Sequence, residues 1–329
     1  MRANDDRGDG ETGAALLSVL LLVAVMAVIA ATALDRLTLA TRLAGAAASV
    51  DQARAFAFAG EALVLRRAGD IAKSRRDDWL ARDYPLPLPG GRAVGQLSDA
   101  TNCFNLNALA AETGPGLFTQ RPVAVAQFAA LMRLTGINAG EAAAIAAAAA
   151  DWIDSDTVEG PMGAEDAAYR GLDPAYLPAN TLMADVSELK AVRGMTPAYY
   201  ARLRPLICVL PVAEPVQVNV NSLRPVQANL VAALWAERLT PGQVRSALAA
   251  RPADGYGSST RFWQAAPFQG LVPPDDVAGQ IVVTPRWLLL TSRVEMGDTG
   301  LDVRSLIDVR MDRPEAAPAI AARQWGMAD

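Results

Sequence analysis

The feature that most limits how this chain can fold is an uncharged run of 21 residues, Ala14 to Leu34, placed directly behind Gly13. A helix rising ~1.5 Å per residue needs roughly 20 apolar residues to cross a bilayer core, so the run predicts a membrane-spanning helix. It is longer than the ~7–15-residue apolar region of a secretory signal, which predicts that the helix is retained. The short leader before it carries Arg2 and Arg7 against Asp5, Asp6, Asp9 and Glu11. The two arginines and the amino terminus are the positive charges on the short side. The residues after Leu34 are then expected on the other face, in the periplasm of a Gram-negative cell, with the anchor in the inner membrane.

Helical character continues past the bilayer. Asp35 to Ala72 lacks proline and is rich in Ala, Leu and Arg, all good helix formers. One helix from Ala14 to Ala72 would be about 90 Å long at ~1.5 Å per residue. In its upper half Asp35, Arg36, Arg42, Asp51, Arg54 and Glu61 are spread among small apolar residues, the pattern of a helix half packed on a domain.

At Tyr84 to Gly91, Pro85, Pro87 and Pro89 alternate with leucines and two glycines close the stretch, which predicts a linker or turn. Arg92 to Asn107 reads as extended, with a turn over Ser98 to Asn102. Val282 to Arg293 and Leu301 to Met311 are aliphatic runs around a Gly-containing break at 296–300, a hairpin signal. Between these β signals lies an alanine-dense helical region. The fold class expected is α+β: a long amino-terminal helix on a small antiparallel sheet, with a large inserted all-α domain. The corresponding divisions are 1–13 leader, 14–34 span, 35–113 upper helix and first sheet part, 114–279 insertion, and 280–329 closing strands.

Inside the insertion, Asn105-Leu106-Asn107-Ala108-Leu109 is echoed by Asn219-Val220-Asn221-Ser222-Leu223. Each copy is followed by a helical pattern, a break and a second helix. Alternating asparagines at a helix start cap it or close Asx-turns, so a repeated folding motif is expected rather than a binding code. Val186 to Pro205 reads as a third helical hairpin around Gly194. Its nearby cations, Arg193, Arg202 and Arg204, are too few for nucleic-acid binding in a chain of net charge -5.

The chemistry concentrates in Asp151-Trp152-Ile153-Asp154-Ser155-Asp156, with Glu159, Glu165 and Asp166 following in a Gly/Pro loop. Converging carboxylates need a counter-ion, and a hard cation such as calcium takes about 6–8 oxygens. The metal ligands expected are Asp151, Asp154, Asp156, Glu165 and Asp166. Against an EF-hand, Asp154, Asp156 and Glu165 fall at the first, third and twelfth places, but Val158 and Glu159 occupy the fifth and sixth. Two other readings stand beside calcium: acids capping adjacent helix ends, or acids solvated on a loop. Cys103 and Cys208 lie outside any C-x-x-C spacing. In an oxidising compartment they are expected to form one disulfide, the alternative being two buried thiols.

Gly13 before an apolar helix resembles the leader junction of type IV pilin-like precursors, which are cut after Gly by prepilin peptidase. Cleavage there would make Ala14 the first mature residue and Ser18 the fifth, where most such proteins carry Glu. The chain resembles the type II secretion minor pseudopilin K family in several further segments. These are Asp151 to Asp156, Gly163-Ala164-Glu165-Asp166, Tyr169, Tyr176, Asn180, Asp185 to Leu189, Gly194-Met195 and Asn219 to Asn221, in that order. The resemblance implies a pilin-like protein with an inserted helical domain that carries calcium. It implies partnership with two other minor pseudopilins in a tip complex, with the major pseudopilin filament and with prepilin peptidase.

Enzymatic chemistry finds little support. The chain has no His, which removes His triads, His bases and His metal ligands. No Gly-x-Ser-x-Gly elbow, P-loop or dinucleotide fingerprint occurs. A glycosidase pair could be drawn from the acids, but only 6% of residues are aromatic, few for a sugar cleft. The function expected is therefore non-enzymatic: capping a pseudopilus that supports export of folded proteins. The competing expectation is a single-span periplasmic binding or scaffold protein with a calcium-stabilised helical domain.

Overall fold

A computed structural model describes residues 8–73, 79–80, 82–236, 238–297, 299–309 and 317–326. Residues 1–7 of the leader, Asp298, Arg310 and Met311 of the expected hairpin, and 312–316 and 327–329 of the expected closing strands lie outside the described residues. The first element, α1, runs unbroken over Gly8–Lys73, 66 residues or about 100 Å at ~1.5 Å per residue. It starts five residues before Gly13, so the expected leader junction lies within the helix rather than ahead of it.

The lower part of α1 is exposed all round, as Leu16, Leu20, Val23 and Ile29 show, and contains one stretch long and apolar enough to cross a membrane. Packing begins higher than the charge pattern predicted, near Ala53. From there Ala53, Ala57, Glu61, Ala68 and Ala72 are buried at helical spacing along one stripe. Four of the five are alanines, which let the helix axis approach the sheet closely.

In chain order the first strands are β1 (Asp83–Leu88), β2 (Gly91–Asp99) and β3 (Phe104–Asn105), then β4 (Ala110–Gly114) and β5 (Leu117–Gln120). Helices α2 (Pro122–Leu134), α3 (Ala139–Asp151), α4 (Asp166–Arg170) and α5 (Pro197–Leu203) follow, then β6 (Ile207–Cys208) and β7 (Val218–Asn219). Next come α6 (Ala228–Leu234), α7 (Pro241–Ala249), α8 (Ser259–Trp263) and α9 (Asp275–Gly279). The chain closes with β8 (Ile281–Val282), β9 (Trp287–Met296), β10 (Thr299–Asp308) and β11 (Ala319–Trp325).

The main sheet has the order β1-β2-β9-β10-β11, with every neighbouring pair antiparallel. Leu288, Leu290, Val294 and Met296 on β9, with Val303 and Ile307 on β10, alternate toward α1 and form two small cores with its alanine stripe. The chain leaves this sheet at Asp99 and returns beside it at Trp287, where the Ala100 N–H donates to the Trp287 carbonyl at 2.9 Å. Everything between packs around a separate, larger core from Phe104 to Ile281.

Several expectations need correction. Tyr84 to Gly91, read as a linker, forms β1 and the turn after it. Pro85 and Pro87 are tolerated because β1 is an edge strand and residues two apart aim their missing donors at the same, unpaired side. The insertion spans 100–286 rather than 114–279, and it is not all-α. It holds two parallel two-residue ladders, β3 with β6 and β7 with β8, and the β4–β5 hairpin. The run Val282 to Arg293 is interrupted at Pro285, which separates β8 from β9. The extended stretch to Asn107 ends at Asn105, where a 3₁₀ turn over Leu106–Leu109 begins. The first half of the hairpin read at Val186 to Pro205 is a 3₁₀ turn, Val186–Ala191, capped reciprocally by Asp185 and Glu188.

The two asparagine motifs occupy equivalent places. Asn105 and Asn219 each close an Asx-turn onto the N–H two residues on, at 3.2 and 3.1 Å. Buried Asn107 donates to the Met183 and Leu210 carbonyls and accepts from the Met183 N–H. Buried Asn221 donates to the Tyr256 and Val283 carbonyls and accepts from the Tyr256 N–H. Each motif therefore ties a strand to segments far along the chain, and the helical pairs α2–α3 and α6–α7 follow the two copies in turn. A disulfide joins Cys103 to Cys208 with Cα atoms 5.7 Å apart, beside the β3–β6 ladder.

Candidate metal centre

The acidic segment begins at the carboxyl end of α3, where unpaired carbonyls already carry partial negative charge. Asp151, the last residue of α3, is fully buried. One of its oxygens accepts from Gln120 Nε2 at 2.5 Å, and the other from the Ala164 and Gly160 N–H groups at 2.7 and 3.2 Å. Its oxygens are thus occupied in folding the loop back onto the helix. Gly163 is required for this: a Cβ there would lie 1.9 Å from Asp151 Oδ2.

Asp154, Asp156 and Glu165 come together, with one carboxylate oxygen of each within 4.8 Å of the others. Oxygens around one calcium sit ~2.3–2.6 Å from it, so neighbouring ligands can be no more than about 5 Å apart, and the three meet that limit. Asp154 Oδ2 accepts from Gln120 Nε2 at 2.9 Å, while its Oδ1 is buried without a partner. Both carboxylate oxygens of Glu165 are buried and unpartnered as well. Asp156 is exposed and accepts from the Val158 N–H at 2.8 Å.

Of the five expected ligands, Asp154, Asp156 and Glu165 are the three brought together. Asp151 shapes the loop, and Asp166 lies in the first turn of α4 in an exposed ion pair with Arg170 at 2.6 Å. In their place Asn180 stands near the cluster. It holds a positive φ of 47°, donates from Nδ2 to the Asp156 carbonyl at 3.1 Å, and leaves its buried Oδ1 unpartnered. Asn180 lies 24 residues from Asp156, beyond any local spacing rule; its only sequence signal was its place in the family resemblance.

Burial pushes the Glu165 carboxyl up to about 7, with Asp151, Asp154, Asp156 and Asp166 adding repulsion. Burial likewise raises Asp154 to about 6, helped by Asp156 and Asp151 and opposed by the Gln120 hydrogen bond. Unpartnered buried carboxylate and amide oxygens are costly unless a cation or proton satisfies them. The donor set, all hard oxygen, fits calcium rather than a soft metal.

An aromatic wedge supports this loop from below. Trp152 packs edge-on against Tyr169, which contacts Tyr176, with ring centroids 5.4 Å apart in each pair. The Trp152 indole donates to Glu188 at 3.4 Å, and Glu188 accepts from the Ala184 and Asp185 N–H groups. The second asparagine repeat has no such acidic excursion between its helical pair and its closing strand.

A long amino-terminal helix with one stretch that fits a single-pass membrane anchor, an antiparallel sheet laid along its upper part and a helical insertion between sheet strands define a pilin-like class of protein. Models of the family "Type II secretion system (T2SS), protein K" match residues 102–212 and 218–284. Type II secretion system protein K of Pectobacterium carotovorum subsp. carotovorum is 32% identical over 96% of this chain and 97% of its own length. The Aeromonas hydrophila protein is 36% identical over 74% of this chain and 77% of its own. The chain belongs to the type II secretion system protein K family. A chain of the crystal structure of the GspK–GspI–GspJ complex from enterotoxigenic Escherichia coli matches with a TM-score of 0.70 and 29% identity, covering 84% of this chain and 97% of that one.

Proposed function

We propose that this protein is a non-enzymatic minor pseudopilin that caps the tip of the type II secretion pseudopilus and so supports export of folded proteins across the outer membrane. Prepilin peptidase removes the leader after Gly13, and the mature helix from Ala14 stays in the inner membrane with the bulk of the chain in the periplasm. Two other minor pseudopilins join it in a tip complex above the major pseudopilin filament, and nucleic acid plays no part. The solved relative, a GspK–GspI–GspJ complex, supports the minor-pseudopilin partners.

Ser18 carries the tip assignment. Its hydroxyl donates to the Ala14 carbonyl at 2.8 Å within its own helix, so position five offers no carboxylate for the amino terminus of an adjoining subunit. A subunit without that pairing fits the end of a filament. The test is immunogold labelling of assembled pseudopili: label confined to one filament end is expected, and label along the length would overturn the reading.

Asp154, Asp156, Glu165 and Asn180 would hold a calcium ion, which would satisfy the buried, unpartnered oxygens of Asp154, Glu165 and Asn180. The residues themselves fix the loop: Gln120 bridges Asp151 and Asp154, and Asp151 gathers the Gly160 and Ala164 N–H groups. The role is structural.

A further inference from the structure

A cleft of about 700 Å³ opens between the insertion and the face of the main sheet that α1 does not cover. Its volume falls within the ~300–1,000 Å³ of ligand-binding clefts. Residues facing it from the sheet include Arg304 on β10 and Ala322 and Gln324 on β11; from the insertion come Lys190, Tyr200 and Arg204. Although the whole chain is acidic, three cations meet here. Arg204 and Arg304 make no ion pair among the described residues, and Lys190 rests over the Tyr200 ring at 4.8 Å.

Two acids also line the cleft, and both are engaged. Asp99 accepts from the Thr101 N–H, Asn219 Nδ2 and the Ser222 hydroxyl. Asp185 accepts from the Ser187 N–H at 2.8 Å and from Gln324 Nε2 at 3.4 Å. These donors are neutral, and the Asp185 carboxyl is lowered first by its Ser187 hydrogen bonds and also by nearby Arg204. The lining of Lys190, Arg204 and Arg304 against Asp99 and Asp185 thus keeps a net positive charge, with Arg304 the cation farthest from compensation. β11 is an edge strand of the sheet, and edge strands present unpaired backbone groups to any extended segment laid beside them.

We propose that this cleft docks an extended acidic peptide segment of a partner protein, which pairs with the free edge of β11 and places its carboxylates on Arg204, Arg304 and Lys190. Strand addition supplies main-chain hydrogen bonds, and alternate side chains then face the cations and Tyr200 in the cleft while the others fall on the opposite face of the sheet, where Trp325 packs on Phe58. This assignment does not depend on where in a filament the chain sits.

The test uses the full chain in neutral detergent and a fluorescein-labelled (Glu-Val)4 peptide, read by anisotropy. Saturable binding is expected, weakened at least tenfold by Arg204→Gln with Arg304→Gln, weakened by salt, and unchanged by Arg245→Gln on the exposed face of α7. Lys190→Gln alone is a milder variant on an exposed side chain, expected to weaken binding severalfold should the double variant fail to fold. Backbone N-methylation of one alternate set of peptide residues is expected to abolish binding. Equal binding of (Gln-Val)4, no loss in the variants, or indifference to both N-methylation sets would each overturn the proposal.

Discussion

At the residue scale, the acidic loop is held in tension between burial and charge. Asp154 and Glu165 titrate near 6 and 7 rather than near the ~4 of unfolded chains, so without metal the folded state binds more protons than the unfolded state across that range. Stability of the calcium-free protein is therefore expected to fall as pH rises from about 4 to 7. Because calcium needs ionised ligands, the difference in Tm between calcium and chelator is expected to widen over the same range. Thermal melts at pH 5, 6, 7 and 8 check both, and a difference that is flat with pH would count against carboxylate ligation. Asp154→Ala is expected to lower Tm in calcium and to leave it nearly unchanged, or raised, in chelator; equal losses in both would argue against a metal. Gly163→Ala drives a Cβ into the Asp151 carboxylate and is expected to cost about 1–3 kcal/mol in either condition, as overpacking does.

At the element scale, two devices hold the architecture. Asn107 and Asn221 each satisfy backbone groups of segments far along the chain, and removing either side chain orphans two carbonyls and one N–H. Asn107→Ala and Asn221→Ala are each expected to cost about 2–3 kcal/mol in denaturant melts, and to add in the double variant because they share no partner. Losses below about 0.5 kcal/mol would deny the clamp role. The second device is Glu61, buried under the sheet, which takes two hydrogen bonds from Arg323 of β11 at 2.7 and 2.6 Å and one from Ser305. These ties explain why some elements were legible and others not. The asparagine echo was readable because its turn chemistry is local, and the β9–β10 hairpin because its alternation is strong. By contrast, β11 was missed: Ala-Ile-Ala-Ala-Arg-Gln-Trp has little strand character, and its place is set by Glu61, some 260 residues earlier. Likewise β1 hid behind its prolines, and Asn180 behind its distance from the acids it joins. The spacing of Asp154, Asp156 and Glu165 suggests the cluster they form, whereas the N–H groups held by Asp151 come into view only in the folded loop.

At the scale of the whole molecule, one helix serves two environments, apolar on every side below and striped with alanine above, and the sheet fastened to that stripe carries an insertion with its own core. Under the proposed function, this division would let the insertion project from a filament while the helix packs among others, as a capping subunit requires. The proposed function turns on whether the helix is a processed pseudopilin helix or a simple anchor. The most direct test is the mass and amino-terminal sequence of the protein extracted from membranes of cells with and without prepilin peptidase. A start at Ala14 that depends on the peptidase is expected; an intact leader in both strains would overturn the pseudopilin reading and leave a single-span periplasmic binding protein as the better description.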